Sequence, residues 1–240
     1  MLKVNKVRVS RGKAATLHGV TFSLAPGGTL AVVGESGAGK STLIAAILGL
    51  VRLTEGTVTW ANAPVLTARP ALVLQEPRAA FNPVRSLRQS VLEPLIGQRR
   101  PVQEDRISRL CAGLELPMEL LDRRPAEVSI GQAQRAGILR ALIASPSLVL
   151  FDEPLSALDA VTQKHTAQLI ADLQAEEGFA ALIVTHDLGY AAAHASEIAV
   201  LRAGRIEEIA TVESFLEAPR TEYARQLRDA AVALGALEVA

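Results

Sequence analysis

Hydrophobic residues fall along this chain in distinct rhythms, and each rhythm predicts a different element. Residues 2–9 (Leu-Lys-Val-Asn-Lys-Val-Arg-Val) alternate apolar and polar positions, as do residues 20–24, which is the pattern of half-buried antiparallel strands. Pro26-Gly27-Gly28 then turns the chain into residues 29–33, an uninterrupted apolar run suited to a strand buried on both faces. A glycine-rich loop and a helical stretch over 41–50 follow. Two further apolar runs, 147–151 and 180–184, each end in polar residues and lead into helical sequence, the alternation of a parallel α/β sheet. Between them the pattern becomes helical over 86–96 and 103–114, punctuated by Pro94, Pro101, Pro117 and Pro125.

The expected architecture is therefore an α/β fold with a wound parallel core, a small antiparallel β layer at the start and an inserted helical lobe. The expected organisation is a single domain over 1–240: a core of 1–76 and 141–216, a helical subdomain of 77–140 and a helical tail of 217–240. No internal repeat or low-complexity segment interrupts it.

Composition narrows the function classes. Lysine plus arginine and aspartate plus glutamate both total 25, so no net field favours nucleic acid or an anionic membrane. The apolar share is 49 % but only 3 % of residues are aromatic, which suits closely packed helices and buried strands. The single cysteine, Cys111, permits no intrachain disulfide and reads as a small buried hydrophobe. The first ten residues lack the apolar run of a signal peptide, and no stretch reaches about 18 uninterrupted apolar residues, so a cytoplasmic, non-spanning protein is expected.

The chemistry begins at Gly34-Glu35-Ser36-Gly37-Ala38-Gly39-Lys40-Ser41, which fits G-x-x-x-x-G-K-[ST] between an apolar strand and a helix. Glycines there let backbone N–H groups turn toward a nucleotide β-phosphate, and the helix N-terminus adds partial positive charge. Lys40 is expected to bridge β- and γ-oxygens, Ser41 to hold Mg²⁺, and Thr42 to reach the α-phosphate. A second signal is Leu148-Val149-Leu150-Phe151-Asp152-Glu153, an apolar strand ending in adjacent acids. Side chains alternate along a strand, so one carboxylate can serve the magnesium and the other the attacking water. Asp152 is expected to act on Mg²⁺ and Glu153 on the water.

With these residues the chain resembles the ATPase subunits of ABC transporters. Phe151-Asp152-Glu153-Pro154-Leu155-Ser156-Ala157-Leu158-Asp159 is similar to that family's magnesium strand and D-loop. In order along the chain, Gln75 resembles the Q-loop glutamine, Val128-Ser129-Ile130-Gly131-Gln132 the signature motif, and Thr185-His186-Asp187 the switch histidine. The resemblance implies a phosphate-loop core with a RecA-like parallel sheet, an ATP-hydrolysing activity with Mg²⁺ held by Ser41, Gln75 and Asp152, and catalysis by Glu153 and His186. It further implies two such subunits head to tail. Each ATP then lies between one subunit's phosphate loop and the other's Ser129, Gly131 and Gln132, with Asp159 communicating across the dimer. As a bare sequence feature, Ser129 also reads as a helix N-cap.

Two positions depart from the family pattern. Ile130 stands where the signature has the first of two glycines, which either weakens the signature or leaves it working through backbone N–H groups. Arg11 stands 23 residues before Gly34, where an aromatic usually stacks on adenine. Its guanidinium either stacks in that place or is solvated.

Leu74-Gln75-Glu76-Pro77-Arg78-Ala79-Ala80-Phe81-Asn82-Pro83 resembles the Q-loop stretch of the peptide, opine and nickel importer ATPases, and residues 218–227 resemble their tail. That implies membrane permease subunits, an extracytoplasmic substrate-binding protein, a second and non-identical ATPase, and a place on the inner face of the membrane. Segment 77–97 is expected to receive a permease helix. The alternative is an accessory ATPase of a non-transport complex such as phosphonate-cleaving machinery. Repair and translation ATPases fit less well, since neither a long coiled coil nor a second cassette is present, and no nucleic-acid partner is expected.

Overall fold

The alternating apolar residues at the start form β1 (Leu2–Arg11), antiparallel to β2 (Ala14–Leu24). The structure is a computed structural model that describes residues 1–11, 14–156 and 158–237, the side chains of residues 11, 14 and 15 excepted. Apolar residues stand at 2, 4, 7 and 9, so strict alternation would turn Val7 and Val9 outward. Instead Val4 pairs with Phe22 and Val7 with Val20, so two residues of β1 oppose one of β2, and Lys6 takes φ 50. This bulge returns Val7 and Val9 to the buried face beside Leu2 and Val4.

The chain divides into two compact units, Met1–Pro70 with Ala180–Ala240, and Ala71–Phe179. In the first, β3 (Thr29–Val33) is buried at every position and leads through a loop into α1 (Lys40–Ile47). Next, β4 (Glu55–Trp60) joins the free edge of β1 and β5 (Ala63–Pro64) extends it, giving the antiparallel order β2-β1-β4-β5. The apolar pattern assigns no element to 55–60, because β4 is exposed or half-buried throughout.

The second unit opens with β6 (Ala71–Val73), whose register with the parallel β7 is Ala71 with Val149 and Val73 with Phe151; the helices α2 (Leu87–Val91), α3 (Glu93–Gly97), α4 (Glu104–Gly113) and α5 (Ile130–Leu142) precede β7 (Leu148–Asp152). The helix expected over 86–96 is two helices. Pro94 lies in the first turn of α3, where its missing N–H is harmless, whereas in the middle of one long helix it would remove an internal hydrogen bond. In α4, Ile107, Leu110 and Cys111 face inward, and burial pushes the Cys111 thiol up to about 11. The unit ends in α6 (Ala160–Glu177). Arg106 of α4 ties these helices together: its guanidinium donates to the Leu142 carbonyl at 2.7 Å, the Ile143 carbonyl at 3.1 Å and the Glu177 carboxylate at 2.7 Å.

The chain returns to the first unit with β8 (Ala180–Thr185), α7 (Leu188–His194), β9 (Glu197–Arg202), β10 (Arg205–Thr211), α8 (Val212–Glu217) and α9 (Glu222–Ala233). Strand β3 lies between β8 and β9, parallel to both, and β10 closes the β9 edge antiparallel. Ala31, Val33, Ile198 and Val200 pack with Leu188, Phe215, Tyr223 and Ala224 to bury the inner faces of α7, α8 and α9.

Candidate functional site

Crowding dictates Gly34, and backbone conformation favours glycine at 37 and 39. A Cβ on Gly34 would stand 2.1 Å from the Leu201 carbonyl oxygen, so only glycine lets β3 run into the loop at that point. Gly39 is the N-cap of α1 at φ 108, a left-handed conformation that side chains disfavour. The N-cap glycine gives α1 no side-chain cap, and its first turn holds no acid. That is an anion-binding arrangement, and it fits nucleotide phosphates.

Lys40 completes the loop. It is 9 % exposed, and its ammonium donates to the carbonyls of Gly34 at 2.7 Å and Glu35 at 3.1 Å, folding back along the loop. The Ala38 carbonyl accepts from the Gly204 N–H at 2.8 Å, fastening the loop to the β9–β10 turn. Glu35, Ser36, Gly37 and Ser41 are exposed, and Thr42 is buried. His186 belongs to the same unit. Val33 pairs with Thr185 in parallel register, so Gly34 and His186 leave adjacent strand ends together. The Asp187 carboxylate accepts from the Tyr190 N–H at 2.9 Å and caps α7, fixing the turn that carries His186.

In the second unit the β6–β7 register brings Gln75 and the acidic pair to neighbouring strand ends. Val73 lies opposite Phe151, so Gln75 and Glu153 each follow two residues later. Asp152 closes β7, and Glu153 turns sharply away at φ 49, a conformation that costs a glutamate of order 1 kcal/mol and is held by surrounding structure. The Glu153 carbonyl accepts from the Ser156 hydroxyl at 3.0 Å.

Elsewhere in that unit, Ser129 is the N-cap of α5. Its hydroxyl accepts from the Gln132 N–H at 3.1 Å, while the Gln132 side-chain oxygen accepts from the Ser129 N–H at 2.9 Å. Asp159 caps α6 in the same way, accepting from the Thr162 hydroxyl at 2.7 Å and the Thr162 N–H at 3.0 Å; those bonds lower its carboxyl pKa. The two caps meet in an open cavity of about 440 Å³ lined by Ser129, Ile130, Gly131, Gln132, Arg135, Leu158, Asp159 and Thr162. Ile130 is 44 % exposed and is among the residues that line this cavity.

Arg135 and Thr162 are cavity residues that motif reading misses. Each had a signal: Arg135 stands four residues after Gly131 on one helix face, and Thr162 three after Asp159 in a capping pattern. The adenine contact expected of Arg11 rests on a side chain outside the described residues. Among the described residues no three histidines, cysteines, aspartates or glutamates cluster as metal ligands. The donor set expected for magnesium, a hydroxyl, an amide and one carboxylate, suits a hard cation that takes its remaining oxygens from phosphate and water.

Known proteins agree with this geometry. A family model described as ABC transporter matches residues 17–156. The oligopeptide transport ATP-binding protein OppF of Escherichia coli (strain K12) is 37 % identical over 229 residues, covering 89 % of this chain and 68 % of the relative. The nickel import ATP-binding protein NikE of Brucella suis biovar 1 (strain 1330) is 37 % identical over 234 residues, covering 91 % and 86 %. A dimeric post-hydrolysis structure of the ATP-binding cassette MJ0796 bound to ADP and Pi superimposes with a TM-score of 0.77 at 28 % identity, over 88 % of this chain and 99 % of that one. The chain belongs to the ABC transporter family as an ATP-binding subunit, whose activity is ATP hydrolysis coupled to transport.

Proposed function

We propose that this chain powers an importer of the peptide, nickel or metal-chelate group, binding MgATP through residues 34–42 and hydrolysing it with Glu153. The observation that carries the reading is the phosphate loop itself: a helix whose first turn holds no acid, a glycine at 34 that leaves no room for a Cβ, and a buried lysine folded along the loop. Lys40 neutralises β- and γ-oxygens, and Thr42 meets the α-phosphate. Ser41, Gln75 and Asp152 are the residues for magnesium, which when bound neutralises phosphate charge. Glu153 polarises the attacking water and His186 holds it against the γ-phosphate.

A second ATPase subunit, head to tail and non-identical, supplies the opposing signature, and Ser129, Gly131, Gln132 and Asp159 serve that partner's nucleotide in return. Permease subunits and an extracytoplasmic binding protein complete the complex, and this chain sits on the inner face of the membrane through the permease. Among the described residues no helix is long and apolar enough to cross a membrane, which supports attachment through other subunits. Relatives named for oligopeptide and nickel import support transport over the accessory-ATPase alternative. Uptake of labelled oligopeptide and of nickel, measured in cells with and without this chain, tests the substrate group. Loss of one uptake supports it, and unchanged uptake of both rejects it.

A further inference from the structure

The tail helix α9 reaches the phosphate loop through one side chain. Tyr223, in the first turn of α9, is 5 % exposed and belongs to the same buried cluster as Val33, the residue immediately before Gly34. The Arg202 guanidinium lies over its ring, 4.4 Å from the centroid. Arg202 directly follows Leu201, whose carbonyl crowds Gly34, and Gly204 two residues later donates to the Ala38 carbonyl. Tyr223 thus shares the core with the strand that enters the loop and stacks with Arg202, the last residue before the turn that supports it.

The start of α9 is itself pinned. Glu208 of β10 is 6 % exposed, and its carboxylate accepts from the N–H groups of Arg220 and Thr221 at 2.9 Å. The Thr221 hydroxyl then caps α9 by accepting from the Ala224 N–H at 3.2 Å. A buried carboxylate is costly unless fully hydrogen-bonded, so this junction fixes Tyr223 firmly.

The Tyr223 hydroxyl is buried and makes no hydrogen bond of ordinary geometry with a described residue. Burial, and after it the charge of Glu35, raises its pKa. Buried hydroxyls are as a rule satisfied, and the group at hand belongs to the phosphate loop. We infer that Tyr223 is a positioning residue for the phosphate loop, its hydroxyl bonding Glu35 when nucleotide is bound and so holding the first half of the loop in shape. The inference rests on the reading of residues 34–42 as the nucleotide loop.

The test titrates the full chain with N-methylanthraniloyl-ATP and reads dissociation constant and stoichiometry separately for the native chain, Tyr223→Phe, Tyr223→Leu and Lys40→Ala. Tyr223→Phe keeps the ring and its packing, so a positioning role raises the dissociation constant about fivefold at full stoichiometry. Tyr223→Leu weakens binding at least as much. A Phe variant within about twofold of the native chain, even beside a weakened Leu variant, assigns Tyr223 to packing and overturns the inference. So does a loss seen only as lower stoichiometry, the mark of partial unfolding. A native chain that binds no better than Lys40→Ala refutes the loop reading itself, and the inference falls with it.

Discussion

The Lys40 ammonium donates to the Gly34 carbonyl at 2.7 Å, so the lysine of the phosphate-loop motif is bonded to the glycine that opens it. The loop is therefore preorganised around a positive charge, and anion binding redirects that charge without having to order it.

Lys40→Ala is expected to weaken ATP binding by about 2–3 kcal/mol, roughly 30- to 150-fold, because it removes a charge-assisted contact to the phosphates. Titration of the purified chain with ATP checks this. An unchanged dissociation constant contradicts the assignment.

The Arg106–Glu177 pair, whose side chains are 13 % and 10 % exposed, should govern acid stability of the helical unit. Burial raises the Glu177 pKa, but hydrogen bonds and charge from Arg106 and then Arg109 outweigh it and leave the pKa lowered from 4.5. A depressed carboxyl contributes stability that is present above about pH 4.5 and lost as pH falls through the folded-state value. Arg106→Leu is expected to cost about 3 kcal/mol, the low end for breaking a buried pair, since Arg109 still reaches Glu177 at 2.6 Å. It should also flatten the acid limb of the stability profile. Denaturant melts between pH 3 and 7 check both; a native-like acid limb in the variant counts against the pair.

Ile130 adds a branched side chain at the mouth of the cavity that holds Ser129, Gly131 and Gln132. In the proposed head-to-tail arrangement the partner's ATP faces this signature and is expected to turn over slowly, and ATP in this chain's own loop to turn over at the normal rate. Ile130→Gly in the assembled transporter is then expected to raise hydrolysis toward about twofold, as the slow site joins the fast one. Glu153→Gln in this chain should be far more damaging than the matching change in the partner. Equal losses discard the asymmetry.

What the sequence made legible was local. Strand β3 was predicted over its full length, a loop joins it to α1 over the glycine-rich segment, and Ser129 caps a helix as its residue type suggests. What was not legible came from partners distant in the chain. The bulge at Lys6 is needed only because β2 opposes it, and β4 is too exposed to show an apolar pattern. Why Gly34 must be glycine emerges only when Leu201 is packed against it, and the Arg106–Glu177 tie joins residues 71 positions apart. Tyr223 likewise has no motif that links it to Glu35.

Glu153, proposed to activate the water for hydrolysis, turns away at φ 49 directly after β7. The most direct measurement is ATP binding and ATP turnover by the assembled transporter carrying Glu153→Gln. The substitution keeps size and removes only the charge, leaving Lys40 and the loop intact. ATP affinity close to native, with turnover lowered at least about a hundredfold, is the expected result. Near-native turnover would contradict the account.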